Sequence, residues 1–133
     1  MKTFSEIREF VKKHHKLVHD EPFLIGIEPN LGKRRQSLFL AEIKDRDGRN
    51  FLRLETPIAP LAAFDAEKCL RINLLLRLGT LAVGDLEGVP YIKLCANYDY
   101  ESLTPALLTH GIDTLAPLAD EMEQALGAGA DFS

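Results

Sequence analysis

Residues 65–98 have the sequence DAEKCLRINLLLRLGTLAVGDLEGVPYIKLCANY, and the fold prediction starts from the helix and hairpin that this stretch indicates. Asp65 is a favourable N-cap, and Glu67 follows where the helix dipole favours an acidic residue, so a helix begins here. Gly79 suits a left-handed C-cap. The pattern therefore predicts a helix over residues 65–78.

The predicted helix is apolar around most of its circumference, because seven of the ten residues from 69 to 78 are apolar. A sheet covers only one side of a helix, so the other side needs a second cover. We therefore predict a homodimer. Its interface is predicted to contain Ile72, Asn73, Leu75 and Leu76. Asn73 is polar in an apolar run, and it is expected to hydrogen-bond either to a nearby backbone group or to the partner subunit.

A hairpin follows this helix. The sequence DLEG at residues 85–88 is a turn, and apolar residues on both sides favour strands over residues 81–83 and 89–98. A last helix is expected from Thr104-Pro105 to about residue 126, since threonine is a good N-cap and proline suits the first helical position. Pro117 should kink or split that helix.

The N-terminal half adds one helix and three strands. Spacings of three and four between apolar residues predict a helix over residues 3–19. Strands are predicted over residues 23–27, 35–44 and 51–56. Pro57 and Pro60 bracket a stretch that is expected to be neither a central strand nor a regular helix.

The composition is that of one ordinary globular domain, since the chain has 133 residues of which 46% are hydrophobic and 27% charged. No apolar run approaches the roughly 18 residues of a membrane span. Residues 1–9 carry charges where a signal peptide needs an apolar stretch. Cys69 and Cys95 lie in apolar segments, which favours reduced thiols. We predict a cytoplasmic protein, with one domain over residues 1–126 and a flexible tail over 127–133, that does not bind a membrane.

Charge is distributed unevenly along the chain. Residues 1–57 contain twelve basic and nine acidic residues, whereas residues 58–133 contain four basic and eleven acidic residues. Two basic patches, at residues 12–16 and 33–35, are of a kind that can contact phosphate. They lack the interleaved aromatic residues that stack on bases, and acids flank them. No nucleic-acid partner is predicted.

The element order α-β-β-β-α-β-β-α resembles the class I type III secretion chaperone fold, a group that includes the CesT family and the related YbjN-like bacterial proteins. The resemblance is carried by the leucine-rich stretch at residues 70–75 with its embedded Asn73, by Gly79, by the hairpin around residues 85–88 and by the helix over residues 103–126. It implies an α+β fold in which helices pack against an antiparallel sheet. It also implies a small cytoplasmic bacterial homodimer.

The resemblance further implies a non-enzymatic role in which the dimer holds an extended segment of a client protein along apolar grooves and a sheet edge. The alternative within the same fold is a YbjN-like regulatory protein with no secreted client. Fold alone does not choose between them.

Partner contacts are predicted at the first helix and the first strand. That strand is short and lies between Pro22 and Pro29, which are features of an edge strand. We expect a partner to contact Phe4, Ile7, Phe23 and Ile25, while Arg34 and Arg35 steer an acidic segment of it. The alternative is that the four apolar residues belong to the core of this domain.

Enzymatic alternatives rest on few residues. His14, His15 and His19, with Asp20 and Glu21, are the one cluster of metal-ligand types, and His15 and His19 would share a helix face. A zinc site needs further ligands, so a solvated helix end is the simpler interpretation. The two cysteines lack the electropositive, accessible setting of a reactive thiol. No catalytic residue, metal or cofactor is predicted.

Overall fold

The computed structural model describes residues 1–32 and 34–127, and these form three helices, a short 3-10 turn and eight strands. The helices are α1 (Phe4–Lys12), α2 (Ala66–Ile72) and α3 (Pro105–Gly127), and the 3-10 turn is Leu61–Ala63. The strands are β1 (His19–Glu21), β2 (Leu24–Ile27), β3 (Asn30–Leu31), β4 (Arg34–Arg35), β5 (Leu38–Lys44), β6 (Asn50–Pro60), β7 (Thr80–Leu86) and β8 (Val89–Asp99).

Six of the strands form one antiparallel sheet in the order β1-β2-β5-β6-β8-β7, and β3 pairs with β4 in a separate two-stranded ribbon. The predicted α+β class, with helices packed on an antiparallel sheet, is confirmed. The edges of the large sheet are β1 and β7.

The two faces of the sheet differ because side chains alternate along each strand. One register row, Ile25–Leu40–Leu54–Ala96, is buried and belongs to the core. The adjacent row, Gly26–Phe39–Glu55–Cys95–Thr80, lies on the opposite face. We call this second face the open face.

The helices bury their apolar sides in the same core. Helix α1 contributes Phe4, Ile7 and Val11. Helix α3 contributes the predicted apolar face, namely Leu108, Ile112, Leu115, Ala119 and Met122. It continues through Pro117 as a single helix, so the predicted split does not occur. Buried residues on both sides of the proline hold the helix in place despite the missing N–H. No helix within residues 1–32 and 34–127 could span a membrane.

Helix α1 ends at Lys12, seven residues before the predicted end. The backbone N–H of Val18 donates to Gly26, and residues 19–21 pair with β2 as strand β1. A strand pairing distant in sequence therefore overrides the helical spacing of the apolar residues.

The second helix is also shorter than predicted. Asp65 caps it as expected, since its carboxylate accepts from the N–H groups of Glu67 and Lys68. The helix ends at Ile72, and a turn and an irregular segment lead to β7. The leucine-rich stretch is therefore only partly helical.

The stretch between Pro57 and Pro60 is the end of strand β6, where the strand is paired on one side only, so it is neither a central strand nor a helix, as predicted. Strand β6 runs through both prolines and pairs with β8, with a register shift between Pro57 and Ala59. The β5 pairing ends at Glu55, so the proline segment has a paired strand on one side only. Proline has no backbone N–H to donate, and it is tolerated there because this part of β6 has no strand on its other side that would need that hydrogen bond.

The predicted hairpin between β7 and β8 is confirmed, and both strands are longer than expected. Its turn places Glu87 at φ 52° and Gly88 at φ 80°. Successive positive φ values match the twist of the flanking strands. Gly127 ends α3, and the remainder of the predicted tail, residues 128–133, lies outside the described residues.

Candidate functional site

An exposed phenylalanine marks the corner where β1 turns into β2. Phe23 is 61% exposed, and its ring centroid lies 6.5 Å from that of Phe4. The guanidinium of Arg8 lies 5.2 Å from the Phe4 ring centroid and donates to the Asp20 carboxylate at 3.0 Å. It also donates to the carbonyl of Pro22, which ties α1 to the turn. We call Phe4, Arg8 and Phe23 the Phe23 corner.

The other predicted apolar contacts lie inside the domain. Phe4, Ile7 and Ile25 are buried in the core, which is the alternative that the sequence left open. Ile7 and Ile25 offer no surface to a partner. The structure therefore brings the four residues together through α1 and β2, and of these Phe23 alone presents a large exposed surface.

Arg34 and Arg35 form β4, which pairs with β3 rather than with the large sheet. Gln36, the residue after β4, is buried and donates to Thr56 Oγ1 at 2.7 Å and to the Pro57 carbonyl at 2.9 Å. Thr56 Oγ1 donates in turn to the Ser37 carbonyl. These bonds anchor the base of the two-stranded ribbon to β6.

Exposed leucines surround the end of α2. Leu70, Leu74 and Leu75 are 67%, 84% and 64% exposed, and we call these three residues the leucine surface. Of the predicted interface residues, Leu75 belongs to this surface, Leu76 is half-buried and Ile72 is buried in the core of its own chain. Large exposed apolar residues that lie close together mark an interaction surface.

The Asn73 side chain bonds within its own chain. Its Oδ1 accepts from the N–H of Leu81 at 2.7 Å, and its Nδ2 donates to the carbonyl of the same residue at 3.2 Å. Of the two partners predicted for Asn73, the structure shows the nearby backbone. The two bonds fix the end of α2 to the start of β7.

A cleft of about 540 Å³ lies on the open face, beside the segment that leads into β7. Three cationic side chains line it, Arg53, Arg77 and Lys93, together with one acidic side chain, Glu55. We call these four residues the basic cleft. Lys93 Nζ lies 3.0 Å from Glu55 Oε2.

The basic cleft was not predicted, because its residues come from three segments that only the sheet register brings together. Thr56 and Pro57, the residues after Glu55, pair with Leu94 and Lys93, which sets β6 beside β8. The alternation of Arg53 and Glu55 with buried Leu52 and Leu54 was the one available signal, since it places both charges on the open face.

The histidines predicted as a possible metal cluster are separated. His19 is in β1 and its Nε2 lies 2.6 Å from Glu21 Oε2, while the His14 ring packs on Phe10. His15 lies against α3, where burial lowers its pKa and Asp113 opposes that shift. His15 and His19 share no helix face, since α1 ends before either residue. Among the described residues, no three metal-ligand side chains converge.

Both cysteines are free thiols. Burial and the Glu55 carboxylate raise the pKa of Cys95 to about 11, and burial and then Asp65 raise the pKa of Cys69. Both groups are therefore neutral at physiological pH and are poor nucleophiles.

Three solved structures share this fold. A chain of the ExsC–ExsE complex matches with a TM-score of 0.62 and 18% identity, over 95% of this chain and 97% of its own. A chain of the HopA1–SchA chaperone–effector complex matches with a TM-score of 0.59 and 17% identity, over 88% of this chain and 89% of its own. The Yersinia pestis type III secretion chaperone SycH was solved with a fragment of YscM2. It matches with a TM-score of 0.58 and 18% identity, over 90% of this chain and 98% of its own.

No protein-family model and no curated protein matches the sequence. The predicted likeness to the type III secretion chaperone fold is confirmed by the three structures, over nearly the whole chain.

Proposed function

We propose that this chain is a non-enzymatic protein-binding module that holds an extended segment of a partner polypeptide and acts as a homodimer. The observation that carries the proposal is the agreement in fold with proteins solved together with a polypeptide partner. The exposed Phe23 side chain and the leucine surface support it from the chain itself.

The partner segment is assigned to the Phe23 corner. Phe23 is apolar and exposed, while Arg8 and Asp20 provide charged groups beside it. An aromatic residue with a charged rim is a common anchor of protein interfaces. The steering of an acidic segment by Arg34 and Arg35 stays a prediction.

The test begins with capture of partners from the native host by the immobilised chain, followed by production of the recovered polypeptide. Binding is then measured by calorimetry for wild type, Phe23→Ala and the control Leu107→Ala, which truncates an exposed residue of α3. We expect Phe23→Ala to weaken binding at least about tenfold, because an aromatic residue that acts as a hot spot contributes about 2 kcal/mol or more. Equal affinity in all three proteins would contradict the assigned surface.

The homodimer is assigned to the leucine surface. Covering a leucine is worth about 1.5–3 kcal/mol, so three exposed leucines give a second copy a strong reason to bind. The adjacent strand β7 is a sheet edge of seven residues with one charged side chain, Asp85. We expect a dimer at micromolar concentration by analytical ultracentrifugation.

Leu74→Asp and Leu75→Asp should give folded monomers, since both side chains are already exposed in a single chain. Leu107→Asp places the same charge on α3 and should leave the dimer intact. A wild-type chain that sediments as a monomer would overturn the dimer without touching the partner assignment.

We also place the chain in the cytoplasm, since its two cysteines are free. A partner that appears in the culture medium, and that fails to appear when the gene for this chain is deleted, supports the secretion-chaperone role. A partner that stays inside the cell under all conditions supports the YbjN-like regulatory role.

A further inference from the structure

The basic cleft has an excess of positive charge. Lys93 and Glu55 form an ion pair at 3.0 Å, which leaves two cations, Arg53 and Arg77, beside it. Cys95 also lines the cleft, and its thiol is neutral because burial and Glu55 raise its pKa to about 11. The cleft therefore attracts an anion.

The donors of the cleft suit a planar anion. Arg53 Nε donates to Asn97 Oδ1 at 3.0 Å, which fixes the guanidinium, while its two terminal nitrogens bond to no residue in the described part of the chain. Arg77 is exposed and makes one long hydrogen bond, at 3.5 Å, to the Leu75 carbonyl. A guanidinium held in this way binds a carboxylate through two parallel hydrogen bonds.

The walls of the cleft favour a carboxylate on a side chain over a phosphate. Leu78 and Ala82 line it and provide apolar surface for methylene groups. The segment beside the cleft leads into strand β7, so it does not provide the helix N-terminus at which phosphates commonly bind.

We propose that the basic cleft binds a glutamate or aspartate side chain from an acidic segment of the partner polypeptide. The inference rests on the proposed function for the polypeptide nature of the ligand. The carboxylate chemistry rests on Arg53, Arg77 and their surroundings. Strand β7 of a second copy could not supply the carboxylate. Its open-face side chains, at positions 80, 82, 84 and 86, include no acidic residue.

The test is an NMR titration of the whole chain at low salt, which follows the arginine Nε–H signals and the backbone amides of β7. The probes are blocked hexaglutamate, blocked hexaglutamine and inorganic phosphate. We expect saturable shifts with hexaglutamate, and affinity at least tenfold weaker in Arg53→Gln/Arg77→Gln. Arg46→Gln, in the β5–β6 turn, removes one positive charge, as Arg77→Gln does, and should match wild type.

Arg77→Gln alone guards against a folding defect, because Arg77 is exposed and its single bond is long. We expect it to weaken hexaglutamate binding at least threefold. Unsaturable shifts, equal affinity in the variants, equal binding of hexaglutamine, or tighter binding of phosphate would each overturn the carboxylate assignment.

Failure of this inference and failure of the proposed function are distinguishable, because the titration uses no native partner. If a captured partner loses affinity in Phe23→Ala and binds Arg53→Gln/Arg77→Gln as tightly as wild type, the cleft assignment fails and the function stands. If hexaglutamate binds the cleft and capture returns no polypeptide, the polypeptide ligand and the proposed function fail together.

Discussion

Helix α3 packs so closely on the sheet that the Tyr98 hydroxyl leaves no room for a side chain at Gly111. The Tyr98 hydroxyl is buried and has no hydrogen-bond partner among the described residues. A Cβ atom on Gly111 of α3 would lie 2.6 Å from that oxygen and 3.1 Å from Leu54 Cδ2. Burial of an unpaired hydroxyl costs about 1–3 kcal/mol, so Tyr98→Phe should stabilise the fold by about 1 kcal/mol.

Gly111→Ala sets two effects against each other. Alanine gains about 1 kcal/mol of helix propensity over glycine, while the overlap with the Tyr98 hydroxyl costs about 1–3 kcal/mol. In a Tyr98→Phe background the oxygen is absent, so most of the steric cost disappears. We expect a favourable coupling between the two substitutions of at least about 1 kcal/mol.

The assay measures the free energy of unfolding in urea for wild type, both single variants and the double variant, with circular dichroism as the signal. Additive effects within about 0.5 kcal/mol, or destabilisation by Tyr98→Phe beyond about 1 kcal/mol, would refute this account of the α3 interface.

Three further predictions concern the connection to β7 and the neighbouring thiol. Asn73→Ala removes both hydrogen bonds to Leu81 and should cost about 1–3 kcal/mol at every protein concentration, whereas an interface role would make the loss concentration-dependent in unfolding curves. Gly79→Ala should cost 2 kcal/mol or more in the same assay, because φ is +88° and the new Cβ would lie 2.9 Å from Leu115 Cδ2; a neutral result would contradict this geometry. Native Cys95 should react with Ellman's reagent at least about tenfold more slowly at pH 8 than after denaturation, and its rate should rise towards pH 11; fast native labelling would contradict its burial. Because folding raises this thiol pKa from 9.0 to about 11, the neutral thiol is favoured in the folded state, and its contribution to stability is lost as the pH rises across that interval.

The sequence predicted the elements that local chemistry determines. The Asp65 cap, the turn at Glu87 and Gly88, and the buried side of α3 each depend on residues within one or two turns of the chain. It failed where distant pairing decides. Residues 13–19 continue a helical spacing, yet β1 forms because β2 offers hydrogen-bond partners that the local pattern does not reveal.

The candidate site shows the same division. Apolar character identified Phe23 and Ile25 together, but Ile25 is buried in strand β2 beside Leu40, whereas Phe23 lies in the turn before that strand and is exposed. Arg53 and Lys93 are forty residues apart in the chain. Their proximity depends on the β6–β8 register, and the shift at Pro57 could not be predicted from proline content.

The unequal edges of the large sheet bear on how the protein avoids fibrous aggregation. Strand β1 is three residues long and entirely His, Asp and Glu, while β7 is seven residues long and mostly uncharged. A sheet extends into a fibre only if both of its edge strands can pair with further copies, and in this sheet only β7 is suited to such pairing. Two copies joined through β7 would expose only β1 at both ends, so the assembly would terminate at two and could not elongate.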